Sequence, residues 1–131
     1  LTRSIDPAKY ENYLKKAEGS ISIARIAITN GAYDNAVMSA VHSAINGLDA
    51  LTTSYLGKRA SGTHTDALSL VKGIFNSGEY RDLRNQYSSL LSMKNASEYE
   101  ADLMKREDAE NAVKWAERII NKVKEKLKNQ V

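Results

Sequence analysis

The chain has no cysteine, one proline, one tryptophan and one phenylalanine among 131 residues. Without thiols there is no disulfide and no thiolate metal site, and the absence fits a reducing compartment. One proline and few β-branched alternations argue against strands. No apolar run approaches the ~20 residues needed to cross a bilayer, and the N-terminus carries no signal-peptide pattern. A cytoplasmic protein is expected. Since the chain opens at Leu1 rather than Met, a short leader ahead of it is expected too. There is also no Gly-rich phosphate loop, no H-E-x-x-H, and no carboxylate–histidine ligand spacing on one helix face. Neither a metal nor a cofactor is expected. His42 and His64 are the two histidines, hence the two candidate imidazole bases.

The charge balance is equally undemanding. Nineteen Lys and Arg against sixteen Asp and Glu leave a net charge of +3. That permits an acidic partner such as nucleic acid, although a solvated, slightly lysine-rich surface is the plainer reading. A chain this long buries about two-thirds of its unfolded surface, so one domain over residues 1–131 is expected, with no internal repeat.

The chain is organised around residues 32–55. Val37, Val41, Ala44, Leu48, Leu51 and Tyr55 recur at spacings of four and three, one continuous apolar helical face. Ala36, Ala40, Ser43 and Gly47 form a second row of small side chains, which lets another helix backbone come close. Ser39, His42, Asn46, Asp49 and Thr53 form a third, polar row. His42 and Asp49 stand two turns apart, roughly 10 Å along the axis, too far for a direct hydrogen bond. Ser39, His42 and Asn46 are adjacent and could form a polar cluster under a second chain. A structural or solvated His42 is the simpler expectation, because a general base must reach a reacting proton.

On either side the pattern stays helical. Asp6-Pro7 opens a first helix with a capping carboxylate and a proline at its first position. Tyr10, Leu14, Ala17, Ile21, Ala24 and Ile28 form its seam, and Asn30-Gly31 closes it. Ile23 and Ile26 lie off that seam and call for a second cover, from the bundle or from another subunit. The short connection makes the first two helices an antiparallel hairpin. Gly57-Lys58-Arg59-Ala60-Ser61-Gly62-Thr63 is expected to be a basic loop. Thr63 and Asp66 then cap a short helix with Leu68, Val71, Ile74 and Phe75, broken at Asn76-Ser77-Gly78. A fourth helix is expected from about Glu79, with Tyr80, Leu83, Tyr87, Leu90 and Leu91 inward, fraying near Lys94-Asn95. Ser97 and Glu100 have capping-box spacing for an extra turn through Leu103. The last helix opens on Arg106-Glu107-Asp108 and carries a stripe from Ala109 to Leu127. Lys122, Lys124, Lys126 and Lys128 suit its C-terminal dipole. The fold expected is an all-α, up-and-down bundle of four to five helices.

Several stretches carry a resemblance. They are the run from Ala40 to Leu51, Tyr55-Leu56-Gly57-Lys58-Arg59, His64 leading into Asp66-Ala67-Leu68, Lys94-Asn95-Ala96-Ser97-Glu98-Tyr99, and Arg106-Glu107-Asp108-Ala109-Glu110. Together they resemble HEPN domains, small four- to five-helix bundles of archaea and bacteria. HEPN members that cut RNA resemble one another in an arginine followed four to six residues later by a histidine. Two copies of that motif meet across a dimer interface. The matching place here is Lys94 to Tyr99, with lysine for arginine and tyrosine for histidine. A point charge replaces the bidentate fork, and a phenol of pKa about 10 replaces an imidazole near 6.5. Arg59 and His64 also fit the nominal spacing, but in the loop after the central helix.

The resemblance implies a homodimer and, as a partner, a minimal nucleotidyltransferase of the kind such domains accompany. The expected function is a non-catalytic module binding a nucleotide, RNA or a partner protein. Its expected ligand surface is Lys94, Asn95 and Tyr99, where Lys94 attracts phosphate and Tyr99 stacks on a base; Lys58, Arg59 and His64 are the rival location. In a plainer alternative Lys94 caps its own helix and Tyr99 packs on the last one. Two other functions stand beside the first. One is a metal-independent ribonuclease using Lys94 and Tyr99 or Arg59 and His64. The other is a helical interaction domain without nucleotide chemistry.

Overall fold

A computed structural model describes residues 1–130; Val131 lies outside the described residues. Five α-helices follow one another: α1 (Tyr10–Thr29), α2 (Tyr33–Leu56), α3 (Asp66–Val71), α4 (Ser77–Tyr99) and α5 (Arg106–Lys128). Helix α2 packs against each of the other four. Its apolar row is fully buried from Val37 to Leu51. Tyr55 is half-buried, and its hydroxyl donates to the Lys126 carbonyl at 2.7 Å. The architecture is the all-α bundle that the periodicity implies.

The helix ends follow their local chemistry. Asp6 Oδ1 accepts from the Ala8 amide at 3.0 Å, and Pro7–Lys9 make a 3-10 turn leading into α1. Gly31 (φ 74°) and Gly57 (φ 63°) take the left-handed turns after α1 and α2, a conformation open to glycine at no steric cost. Asn76 and Glu79 form a reciprocal capping box on α4, at 2.9 and 3.0 Å, so α4 starts two residues earlier than Glu79. Asp66 Oδ2 accepts from the Thr63 amide at 3.1 Å. The Thr63 hydroxyl meets Thr65 instead, so half of the expected capping pair forms.

Two expectations are corrected. The glycine-bounded loop contains a strand. β2 (Lys58–Ala60) pairs antiparallel with β1 (Thr2–Ser4), with Arg3 opposite Arg59. Three residues a side are too few to show a period-two pattern, and the pairing joins segments more than fifty residues apart. Second, α4 does not fray at Lys94-Asn95 but runs to Tyr99. Ser97 starts no new turn: its hydroxyl donates to Asp34 Oδ1 at 2.9 Å, and Asp34 Oδ2 accepts the Met104 amide at 3.1 Å. That carboxylate at the start of α2 holds both the last turn of α4 and the segment after it.

The small-residue row of α2 does let other helices come close, and they are α1 and α5 of the same chain. Ser43 Oγ donates to the Ala17 carbonyl of α1 at 2.6 Å. A Cβ on Gly47 would stand 3.5 Å from Ile120 of α5, an ordinary contact. Gly47→Ala should therefore be tolerated and gain about 0.5–1 kcal/mol from helix propensity. Gly47→Leu should cost about 1–3 kcal/mol by overpacking. Urea denaturation of both variants reads this directly, and a destabilised Gly47→Ala would contradict the packing described.

Candidate functional site

Two of the rival sequence sites converge. α2 supplies His42 on an exposed turn, the segment after β2 supplies His64, and α4 supplies Lys94 and Glu98. Partial burial, then the Lys94 charge, then His42 lower the His64 imidazole below its usual value, with Glu98 opposing. His64 is therefore predominantly neutral at pH 7. Lys94 bonds Glu98 one turn along at 2.9 Å. It is an internal helical residue and does not cap the helix end. Asn95 and Tyr99 share the next row of α4, and Tyr99 is 81% exposed, so it does not pack on α5.

Beneath this surface lies a cleft of about 180 Å³, whose lining includes Asp49, Arg59, His64 and Tyr87. α2 delivers Asp49 to it from the polar row. That row is not uniformly wet: His42 is exposed, Ser39 and Asn46 are half-buried, and Asp49 and Thr53 are buried. Asn46 turns back to donate to the His42 carbonyl at 2.9 Å. Burial pushes the Asp49 carboxyl up to about 6, against the opposing pull of Arg59. Arg59 Nη1 stands 3.9 Å from Asp49 Oδ2, and the guanidinium lies 6.0 Å from the Tyr13 ring centre. β2 pairing fixes this arginine, whereas its neighbour Lys58 remains exposed. Arg59 and His64, the pair with the nominal spacing, thus line one cleft.

Tyr87 was legible only as a core position of α4. It is fully buried, and its hydroxyl has no hydrogen-bond partner among the described residues, nor has Arg59 Nε. Burial, and then the Asp49 charge, raise the phenol further above its usual range. A tyrosine where leucine or phenylalanine would fill the core was the available signal, because a buried hydroxyl asks for a partner.

Chemically, the arrangement offers donors and acceptors more readily than a base. His64 makes no side-chain hydrogen bond among the described residues, so no third group orients it as an activated base requires. Among those residues no cluster of His, Asp and Glu is arranged to hold a metal, and no helix is long and apolar enough to cross a membrane. A comparison with curated proteins found no match. The family model of the HEPN domain matches residues 10–126, from the first residue of α1 almost to the end of α5. With the five-helix bundle and that match over most of its length, the chain belongs to the HEPN domain family.

Proposed function

We propose that this chain is a non-catalytic HEPN module that self-associates and binds the phosphates of a nucleotide or RNA. The observation that carries the reading is the meeting of His42, His64 and Lys94 on one surface. Three nitrogen-bearing side chains from three separate segments lie within electrostatic reach of one another there. Lys94 supplies the charge, held in place by Glu98, and Tyr99 lies exposed farther along α4 as a stacking platform. Asn95 shares the row of Tyr99, and Lys58 and Arg59 add positive charge from β2. Self-association is supported by Ile23 and Ile26, each 56% exposed on α1, and by the habit of the family. A minimal nucleotidyltransferase is a protein partner in keeping with that family.

Cleavage is not expected, since Lys94 and Tyr99 stand on different rows of α4 and Lys94 is engaged by Glu98. One observation favours a second reading, a metal-independent ribonuclease through Arg59 and His64: both line the same cleft. The experiment that separates the readings measures binding of a short single-stranded RNA at several salt concentrations, with cleavage followed in chelator. Lys94→Ala should weaken binding and flatten its salt dependence by about one phosphate contact, with intact RNA throughout. Binding unaffected by Lys94→Ala would sink the proposal. Cleavage abolished by His64→Ala would promote the ribonuclease. Sedimentation should show twice 14.5 kDa, and Ile23→Ser with Ile26→Ser should return the monomer.

A further inference from the structure

Three polar groups in the cleft are left in a condition that folded proteins rarely tolerate. The Tyr87 hydroxyl and Arg59 Nε have no partner among the described residues, and the Asp49 side chain is 9% exposed with one long contact to Arg59 at 3.9 Å. Buried polar atoms are nearly always hydrogen-bonded. Here they come from three elements (α2, β2 and α4) and converge on one space.

The chemistry of the walls restricts what completes them. A simple anion meets the Asp49 carboxylate, and a simple cation meets the Arg59 guanidinium. A neutral group with a donor and an acceptor on one edge satisfies both: its N–H donates to Asp49, and its carbonyl or ring nitrogen accepts from Arg59. Tyr87 can supply or accept a further bond. Ile45, Ala60 and Ala67 give one apolar part of the lining, suited to the face of a flat ring, and Ser61, Gly62 and Thr63 add a polar rim. A closed cavity of about 150 Å³ accepts benzene, so about 180 Å³ suits one six-membered ring and not a fused pair.

We infer that the cleft formed by Asp49, Arg59 and Tyr87 is a subsite for a single pyrimidine base, with the His42–His64–Lys94 surface beside it taking the attached phosphate. His64 belongs to both, lining the cleft and responding to Lys94. The inference rests on the phosphate-binding reading for its second half and stands on the cleft alone for its first.

The test uses probes that divide base from phosphate. Cytidine and uridine carry the base alone, ribose 5-phosphate carries the phosphate alone, and cytidine monophosphate carries both. Amide shifts in a ¹H–¹⁵N spectrum of the full chain follow each titration. Cytidine and uridine should give saturable shifts at Ser61, Gly62 and His64, which ribose 5-phosphate does not reproduce. Tyr87→Phe should weaken nucleoside binding by about two- to tenfold, the value of one net hydrogen bond. Asp49→Leu should weaken it more than tenfold, and where that variant fails to fold, Tyr87→Phe decides. Lys94→Ala should leave cytidine unchanged while weakening cytidine monophosphate. Absence of saturable nucleoside shifts, or shifts indifferent to Tyr87→Phe, overturns the base subsite even where RNA still binds through Lys94. Cytidine binding with no added effect of the phosphate keeps the subsite and overturns the phosphate surface.

Discussion

Replacing Asp49 by asparagine should make the protein more stable at pH 7.5 and leave it nearly unchanged at pH 4. Burial raises this carboxyl from 3.8 to about 6 in the folded chain. A group whose folded pKa lies above its unfolded one binds its proton more tightly in the native state. Its contribution to stability is complete below pH ~4 and disappears as the pH rises through 6. At neutral pH the ionised Asp49 therefore costs on the order of 2–3 kcal/mol relative to a neutral group of the same shape. Asparagine removes that cost. Urea midpoints measured across this range should show the advantage of Asp49→Asn growing from pH 4 to pH 7.5. A variant whose disadvantage grew from pH 4 to pH 7.5 would mean that the Arg59 contact outweighs desolvation.

Ionised at neutral pH in a buried place, Asp49 opposes stability. That is the pattern expected where a buried polar group serves binding. Its place opposite Arg59 and Tyr87 fits the same reading.

The largest loss is expected from Leu48→Ala. Leu48 is fully buried at the middle of α2, the helix that touches every other one. Deleting its side chain removes buried apolar surface and leaves a cavity that neighbouring rigid helices cannot close. The cost should be about 2–5 kcal/mol, a large part of the 5–15 kcal/mol typical of a domain. Ile26→Ala, at a residue 56% exposed, should change the unfolding free energy of the monomer by less than about 0.5 kcal/mol. Equal effects at the two positions, in urea unfolding at a concentration where the protein is monomeric, would refute the central place given to α2.

By itself the sequence determined the helices, their inward faces and most of their ends. The recurrence of Val37, Val41, Leu48 and Leu51 and the glycines at 31 and 57 act within a few residues, where geometry depends on local spacing. It failed where one element's limits depend on another. α4 continues past Lys94 and Asn95 because Ser97 is held by Asp34, sixty-three positions earlier in the chain, and β2 forms because the N-terminus lies beside it. The candidate site belongs to the same class. Asp49 was one polar residue on a helix face, Arg59 and His64 were a motif in a loop, and Tyr87 was a core aromatic. Only the tertiary structure decided that they share a cleft and that Lys94 stands near His64. Burial and charge proximity are sums over neighbours distant in sequence, and no local spacing carries them.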